Sequence, residues 1–159
     1  MAHHDDTEKV YKLAKDIGTC MYVTHDGARW RARPMHAYVE ADERAVYFLT
    51  DAESAKTHQT QTDQQVTLAF LDEGKHSYVS IYGRAEVTDD RAKIHDLWNV
   101  FAKAWWESAD DPAIRLIKVF PDEAEYWDSP NGPVATIKML AAAATGKTPD
   151  MGDHAKVNL

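Results

Sequence analysis

Apolar residues recur at helical spacing in two stretches of the chain. In residues 6–17 an apolar side chain returns at i, i+3, i+4 and i+7, which predicts an amphipathic helix. A longer stripe after residue 90 predicts a helix whose apolar face lies in the core; its members are Ile94, Leu97, Trp98, Phe101 and Trp105. Further helices are predicted at residues 51–59, with Asp51 as the N-cap, and at residues 134–144.

Elsewhere apolar and polar residues alternate, which is typical of β-strands. The alternation predicts about seven strands, at residues 19–25, 29–40, 45–50, 65–71, 76–88, 114–120 and 123–128. Pro34 favours an edge position, a bulge or a bend for the second strand, and Pro121 divides the last two. Turn sequences at residues 26–27 and 72–75 join strands as hairpins, so the pairing is antiparallel. The predicted fold is mainly β, an antiparallel barrel with flanking helices.

Length and charge limit the classes of function. The 159 residues fit one domain, residues 1–159, in which the polar tail at residues 147–159 is expected to be held loosely. The net charge is −8 and no basic face is apparent, so we expect no nucleic acid and no membrane as partners. The N-terminus does not resemble a signal peptide and no apolar run reaches about 18 residues, so a cytoplasmic location is expected.

Cysteine and histidine provide no candidate catalytic or metal centre. Cys20 is the only cysteine, and its strand-like surroundings predict a buried, unreactive thiol in a reducing compartment. The eight histidines show neither His-x-His nor His-Glu-x-x-His spacing, so we assign no metal. His36 follows the segment Arg33-Pro34-Met35, so the alternatives are a position near a ligand pocket and a surface or strand histidine, of which we expect the second.

Two clusters of residues combine cations with strand ends. The first contains Arg31 and Arg33 in a strand, and the second, residues 49–56, joins a strand end to a helix that carries Lys56. Free N–H groups at the start of a helix and a nearby lysine favour negative charge. On an acidic protein, such a local basic pocket indicates a small phosphorylated ligand.

Several motifs, taken in order, resemble those of a known family. They are RPM at 33–35, FLTD and SAK within 48–56, YVSIYGRAE at 78–86, LW at 97–98 with AWW at 104–106, DDP at 110–112, and PDEAEYWD at 121–128. With these motifs the chain resembles the flavin-binding split-barrel proteins related to pyridoxamine 5′-phosphate oxidase. It is most similar to their general stress protein 26 branch, and the similarity covers nearly the whole chain.

The resemblance implies a homodimer with flavin mononucleotide (FMN) at the subunit interface. It places Arg33, Pro34 and Met35 along the flavin, with the arginine near the ribityl phosphate. Leu49 and Thr50 are then expected to contact the ring system or the ribityl chain, Ser54 and Lys56 to hold the phosphate, and Trp127 to contact the cofactor.

Three further residues are candidates from the strand and helix pattern together with the resemblance. Arg31 shares a strand face with Arg33, although two solvated arginines on an outer face would give the same pattern. Trp105 and Trp106 are adjacent and cannot both point inward. We expect one of them to reach the flavin or the dimer partner.

Two departures from the oxidase pattern narrow the range of possible functions. Ala55 stands where the oxidase has an arginine before its phosphate-binding lysine, and no arginine follows Trp127. Both argue against oxidation of pyridoxamine phosphate, which we rank last. The first hypothesis is a flavin-dependent oxidoreductase with a small-molecule redox partner and no catalytic side chain. The alternatives are a non-enzymatic stress protein that stores or senses flavin, and a barrel that binds a deazaflavin or haem.

Overall fold

One antiparallel sheet organises the fold. The computed structural model describes residues 2–129, 132–150 and 152–159. Within these ranges the strands are β1 (Thr19–His25), β2 (Trp30–His36), β3 (Tyr38–Glu40), β4 (Ala45–Asp51), β5 (Gln65–Asp72), β6 (Ser77–Thr88), β7 (Ile114–Asp128) and β8 (Asp153–Asn158). The α-helices are α1 (Ala2–Ile17), α2 (Ala55–Thr62), α3 (Arg91–Leu97) and α4 (Gly132–Thr145), and a 3-10 turn covers Ala102–Ala104.

The sheet curls into a split barrel. Its strand order is β2-β1-β5-β6-β7-β4-β3, and β8 pairs with the second half of β7. Strands β2 and β3 therefore lie at opposite ends of the order, although only Ala37 separates them in the chain. They are not paired with each other, so the barrel remains split along this line. Pro34 lies in β2, a strand at one end of the order, which confirms its predicted edge position.

The apolar stripes of the sequence form two cores. The larger one fills the barrel and includes the buried face of β6 and the inner face of α1, of which Val10 and Ala14 are fully buried. The smaller core lies under α3, where Ile94 and Leu97 pack against strands β4 and β7. Cys20 is buried in the larger core as predicted, and burial raises the pKa of its thiol to about 12. Within the described residues, no helix is long and apolar enough to cross a bilayer.

The predicted long helix after residue 90 is wrong beyond Leu97. The Asn99 side chain accepts hydrogen bonds from the backbone N–H groups of Phe101 and Ala102, both at 3.1 Å, and so starts a separate turn. This break turns Phe101 and Trp105 out of the core, where they are 61% and 80% exposed. Trp98 remains partly buried against the smaller core.

Strand β7 is continuous where Pro121 was predicted to divide it. Along one edge, β7 pairs with β4 up to Val119 and with β8 from Glu123 onwards. Pro121 falls between these two partners, so its missing N–H removes no bond along that edge, and on the other edge it lies opposite Gly83, where the pairing with β6 shifts register.

The tail is also more ordered than predicted. Residues 153–158 form strand β8, and Val157 packs into the larger core. Lys9 of α1 adds an ion pair to Asp153 with an N–O distance of 2.7 Å. The expectation of a loosely held segment is therefore wrong for β8, because burial of one apolar side chain and pairing along β7 hold it in place.

Helix α2 begins later than predicted. Its N-cap is Ser54, whose hydroxyl accepts a hydrogen bond from the N–H of Thr57 at 3.3 Å. Asp51 instead ends strand β4, and its carboxylate accepts the N–H of Glu53 at 2.9 Å in the connecting turn.

Candidate functional site

A cavity of about 310 Å³ lies at the split in the barrel. One side is formed by β2 and β3, the other by the end of β4 and the start of α2, and the 3-10 turn region closes the end. The lining residues are Pro34, Met35, His36, Tyr38, Leu49, Thr50, Asp51, Lys56, Phe101, Ala102, Trp105 and Trp106. Because β2 and β3 separate here, the cavity is a direct consequence of the topology.

The polar end of the cavity is built where β4 passes into α2. Thr50 is buried, and its hydroxyl lies 3.1 Å from that of Ser54 and 3.3 Å from that of Thr57. Thr57 also donates to the carbonyl of Asp51 at 2.7 Å. These contacts fix the first turn of α2, in which Ser54 accepts the N–H groups of Thr57 and His58 and, among the described residues, those of Ala55 and Lys56 remain open. The local field at this end therefore favours an anion.

Lys56 is the cation that lines the cavity. It is half-buried, and in the part of the chain that the structure describes its ammonium group forms no hydrogen bond and no ion pair. Burial lowers the pKa of Lys56, the positive charge of Arg33 lowers that pKa further, and Asp51 partly offsets both. A half-buried cation that forms no hydrogen bond and no ion pair is available to bind a ligand of opposite charge.

Arg33 lies behind this end of the cavity and ties three elements together. Its guanidinium donates to Thr24 Oγ1 at 2.6 Å, to Gln59 Oε1 at 2.7 Å and to the carbonyl of Tyr22 at 3.2 Å. All three acceptors are neutral, and burial lowers the pKa of Arg33. Its positive charge is therefore uncompensated by any acidic side chain among the residues that the structure describes, and it adds to the potential at Lys56.

Four of the predicted site residues do not line the cavity: Arg31, Arg33, Ser54 and Trp127. Arg31 is exposed and donates to Asp26 Oδ2 at 2.5 Å, so it holds the turn between β1 and β2. Backbone N–H groups at this turn, with the arginine, keep the pKa of Asp26 low. The Trp127 ring stacks on His154 of β8, with centroids 5.0 Å apart and planes 9° apart.

The other seven predicted residues do line the cavity: Pro34, Met35, Leu49, Thr50, Lys56, Trp105 and Trp106. Both tryptophans line the cavity but do not both point inward, and the expectation that one of them reaches the flavin or the dimer partner stays a prediction. Trp106 packs partly buried against the smaller core, whereas Trp105 stands at the exposed rim. The sharp turn at residues 102–106 lets neighbouring side chains meet the same opening at different depths.

The aromatic end of the cavity was not predicted. The imidazole of His36 stacks on Phe101, with centroids 5.0 Å apart and planes 30° apart, and meets the Tyr38 ring edge-on at 4.8 Å. Tyr38 in turn donates its hydroxyl to Asn99 at 3.1 Å. His36 is a strand histidine as expected and also lines the cavity, which was the alternative, whereas Phe101 was expected to be a core residue. The sequence signal for the position of Phe101 was Asn99, a favoured capping residue inside the predicted helix.

The sequence comparisons place the chain in a family. Residues 5–150 match the family model described as "Pyridoxamine 5'-phosphate oxidase like". The chain therefore belongs to the pyridoxamine 5′-phosphate oxidase-like family, which confirms the resemblance found in its motifs. Among curated proteins, Protein bli-3 of Neurospora crassa is 27% identical over 110 residues, which are 63% of this chain and 53% of bli-3. The chain thus spans about half the length of that relative.

Solved structures agree with the split-barrel fold. A protein described as general stress protein 26 from Jannaschia sp. CCS1 superposes with a TM-score of 0.81 at 24% identity, over 99% of both chains. The general stress FMN/FAD binding protein from Xanthomonas citri is 28% identical, with a TM-score of 0.70 over 79% of this chain and 89% of that one. The first likeness shows the fold, and the second is similar in sequence as well.

Proposed function

We propose that the protein binds FMN in the cavity at the split and works as a flavin-dependent oxidoreductase of the general stress type. The observation that carries this proposal is Lys56, a half-buried cation without a partner beside the uncompensated charge of Arg33. The Xanthomonas citri relative, described as an FMN/FAD binding protein, supports a flavin as the ligand.

The residues present fit a flavin phosphate. Lys56 would bind the phosphate directly, with the first N–H groups of α2 and the Thr50 hydroxyl beside it. Ser54 would act by capping α2, and Arg33 by orienting Gln59 and adding positive potential. The strand residues Pro34 and Met35 would line the ring system. We propose no catalytic side chain, because FMN would supply the redox chemistry.

The shape of the cavity supports a shared site between two subunits. Its volume of about 310 Å³ lies at the small end of the about 300–1,000 Å³ typical of ligand pockets. The exposed rings of Phe101 and Trp105 leave its rim open. A homodimer that closes the rim, with Trp127 of a second copy near the cofactor, would complete the site.

The charge at the site argues against a second phosphorylated ligand. Among the described residues only one cation lines the cavity, and a flavin phosphate would neutralise it. Pyridoxal phosphate would then find no cation in the remaining lining. This supports a reaction other than pyridoxamine phosphate oxidation. The small size of the cavity favours FMN over FAD.

The first experiment is the visible spectrum of the purified protein, with mass identification of any bound compound. We expect the visible absorbance of a bound flavin, either as isolated or after incubation with FMN, together with a dimer in light scattering. Protein that stays colourless after incubation with FMN would overturn the proposal. Stopped-flow reduction by NADH and NADPH then separates an oxidoreductase from a protein that stores or senses flavin, since the latter would not be reduced.

A further inference from the structure

Two apolar patches are left exposed by the fold of this chain. The rim patch consists of Val100, Phe101 and Trp105, and the last two line the mouth of the cavity. The arm patch consists of Ile137 and Leu140 of α4, each 66% exposed. No other part of the described chain covers either patch. Exposed apolar patches of this kind mark surfaces that bind a partner.

The arm patch lies on a helix that packs little against its own chain. Helix α4 has 14 residues, which makes it about 21 Å long, and Ala135 is the one fully buried side chain among those described in it. Its solvent side is apolar as well, because Ile137, Leu140 and Ala144 recur at i, i+3 and i+7 and are exposed. A helix that is apolar all round is normally buried. We therefore expect a surface outside this chain to cover α4.

The position of α4 is fixed by the sheet. Asp128 at the end of β7 pairs with Asp153 at the start of β8, so the chain leaves the sheet before α4 and rejoins it afterwards at the same point. Helix α4 begins five residues after Trp127, which the proposed function places near the cofactor of a second copy. The helix would therefore lie at the same contact between subunits.

We propose that α4 is an arm that packs on the rim patch of a second copy and closes the mouth of its cavity. In a twofold dimer each copy would place its α4 on the other, so that both exposed patches of each chain are covered at once. The proposal rests on the proposed function, which puts a second copy at this rim. It adds the segment that completes the site.

Charge favours a second copy as the occupant. Residues 132–149 contain Lys138 and Lys147 and no acidic residue, so this segment carries +2. Because the whole chain carries −8, the remaining residues carry −10. The arm is thus a positive segment on an acidic protein, and the acidic surface of another copy attracts it. An anionic membrane would repel the rest of the chain.

The first test compares Leu140→Glu with Trp30→Glu in the full chain. Each substitution occurs twice in a twofold dimer, so Leu140→Glu should raise the dimer dissociation constant in sedimentation velocity at least about 100-fold. Trp30 is also exposed but belongs to neither patch, so Trp30→Glu should leave that constant unchanged. Fluorescence titration should show weaker FMN binding in Leu140→Glu, although Leu140 does not line the cavity of its own chain.

The second test locates the contact. Leu140→Cys and Trp105→Cys are co-expressed as separate chains, one with a longer tag, so that mixed dimers can be isolated. Cys20 is buried, so a short bis-maleimide should join only the new thiols. We expect a cross-link between the two chains, and none when Trp30→Cys replaces Leu140→Cys.

The other outcomes overturn the proposal. Cross-links between two Leu140→Cys chains, with none to Trp105→Cys, would mean that α4 pairs with α4. A dimer unchanged by Leu140→Glu, or a wild-type protein that stays a monomer, would leave α4 without this role. Loss of the dimer at unchanged FMN affinity would show that one chain completes the site. Flotation with neutral vesicles that is lost in Leu140→Glu would assign α4 to a membrane surface.

Failure of the proposed function would be visible separately. A wild-type dimer that binds no FMN would refute flavin binding alone. The cross-link between Leu140→Cys and Trp105→Cys needs no cofactor and would still decide whether the arm packs on the rim patch.

Discussion

Replacing Lys56 by methionine separates a ligand-binding lysine from a structural one. Methionine keeps the length of the side chain and removes the charge. Folding makes the charged form of Lys56 less favourable than it is in the unfolded chain, because burial and the positive charge of Arg33 lower its pKa. Losing this charge should therefore leave the free energy of unfolding unchanged or raise it.

The same substitution should weaken FMN binding. A hydrogen bond to a charged group contributes about 1.5–3 kcal/mol, so the dissociation constant should rise by about 10- to 150-fold. Lys75→Met is the matched control, since Lys75 is exposed in the turn between β5 and β6 and does not line the cavity. Flavin fluorescence titration measures the affinity and urea denaturation the stability. A loss of affinity accompanied by an equal loss of stability in the cofactor-free protein would refute the reasoning.

The pH dependence of FMN affinity should also be determined by Lys56. The phosphate prefers the ammonium form, so FMN affinity should fall as the pH rises through the lowered pKa of Lys56 in the free protein. Titrations between about pH 7 and 10 should show this fall in the wild type and a flatter profile in Lys56→Met, so that the two converge. Parallel profiles would assign the pH dependence to another group.

Three further predictions concern the fold. The thiol of Cys20, with its pKa raised to about 12, should not react with Ellman's reagent at pH 8 until the protein is unfolded; fast native reaction would contradict its burial. In Gly83→Ala the new Cβ would lie 2.3 Å from a backbone oxygen of β7, so the free energy of unfolding, measured by urea denaturation, should fall by about 1–3 kcal/mol. The control Gly74→Ala should be nearly neutral, and equal effects of the two substitutions would refute this close approach. Val157→Ala should cost about 2 kcal/mol and the exposed Lys156→Ala little, and equal small effects would mean that β8 is held loosely after all.

The sequence predicted those helices and strands whose pattern of apolar residues depends on that helix or strand alone. The stripe of α1 and the alternation of β6 appear in the order of residues, because each helix or strand needs one apolar face whatever its partner is. Strand β8 could not be found this way. It contributes one buried apolar side chain, Val157, and its other stabilising contacts come from β7 and from Lys9, far away in the chain.

The same distinction separates the residues of the candidate site that the sequence predicts from those that it does not. The clusters around Arg33 and at residues 49–56 could be predicted because a strand end, a hydroxyl and a cation lie close together in sequence. The meeting of His36 with Phe101 depends on the chain reversal at Asn99 and on the packing of the following turn. Helical spacing alone assigned Phe101 to the core, and the local capping interaction overrode that spacing.

The arrangement around Arg33 explains how the polar end can hold its charge before a ligand arrives. Three neutral acceptors satisfy the guanidinium, so its donors are not left unpaired while its net charge remains. A carboxylate in place of Gln59 would neutralise that charge and cancel the field at Lys56. Neutral partners therefore preserve the positive potential, and binding of the proposed phosphate would offset the cost of holding two like charges near each other.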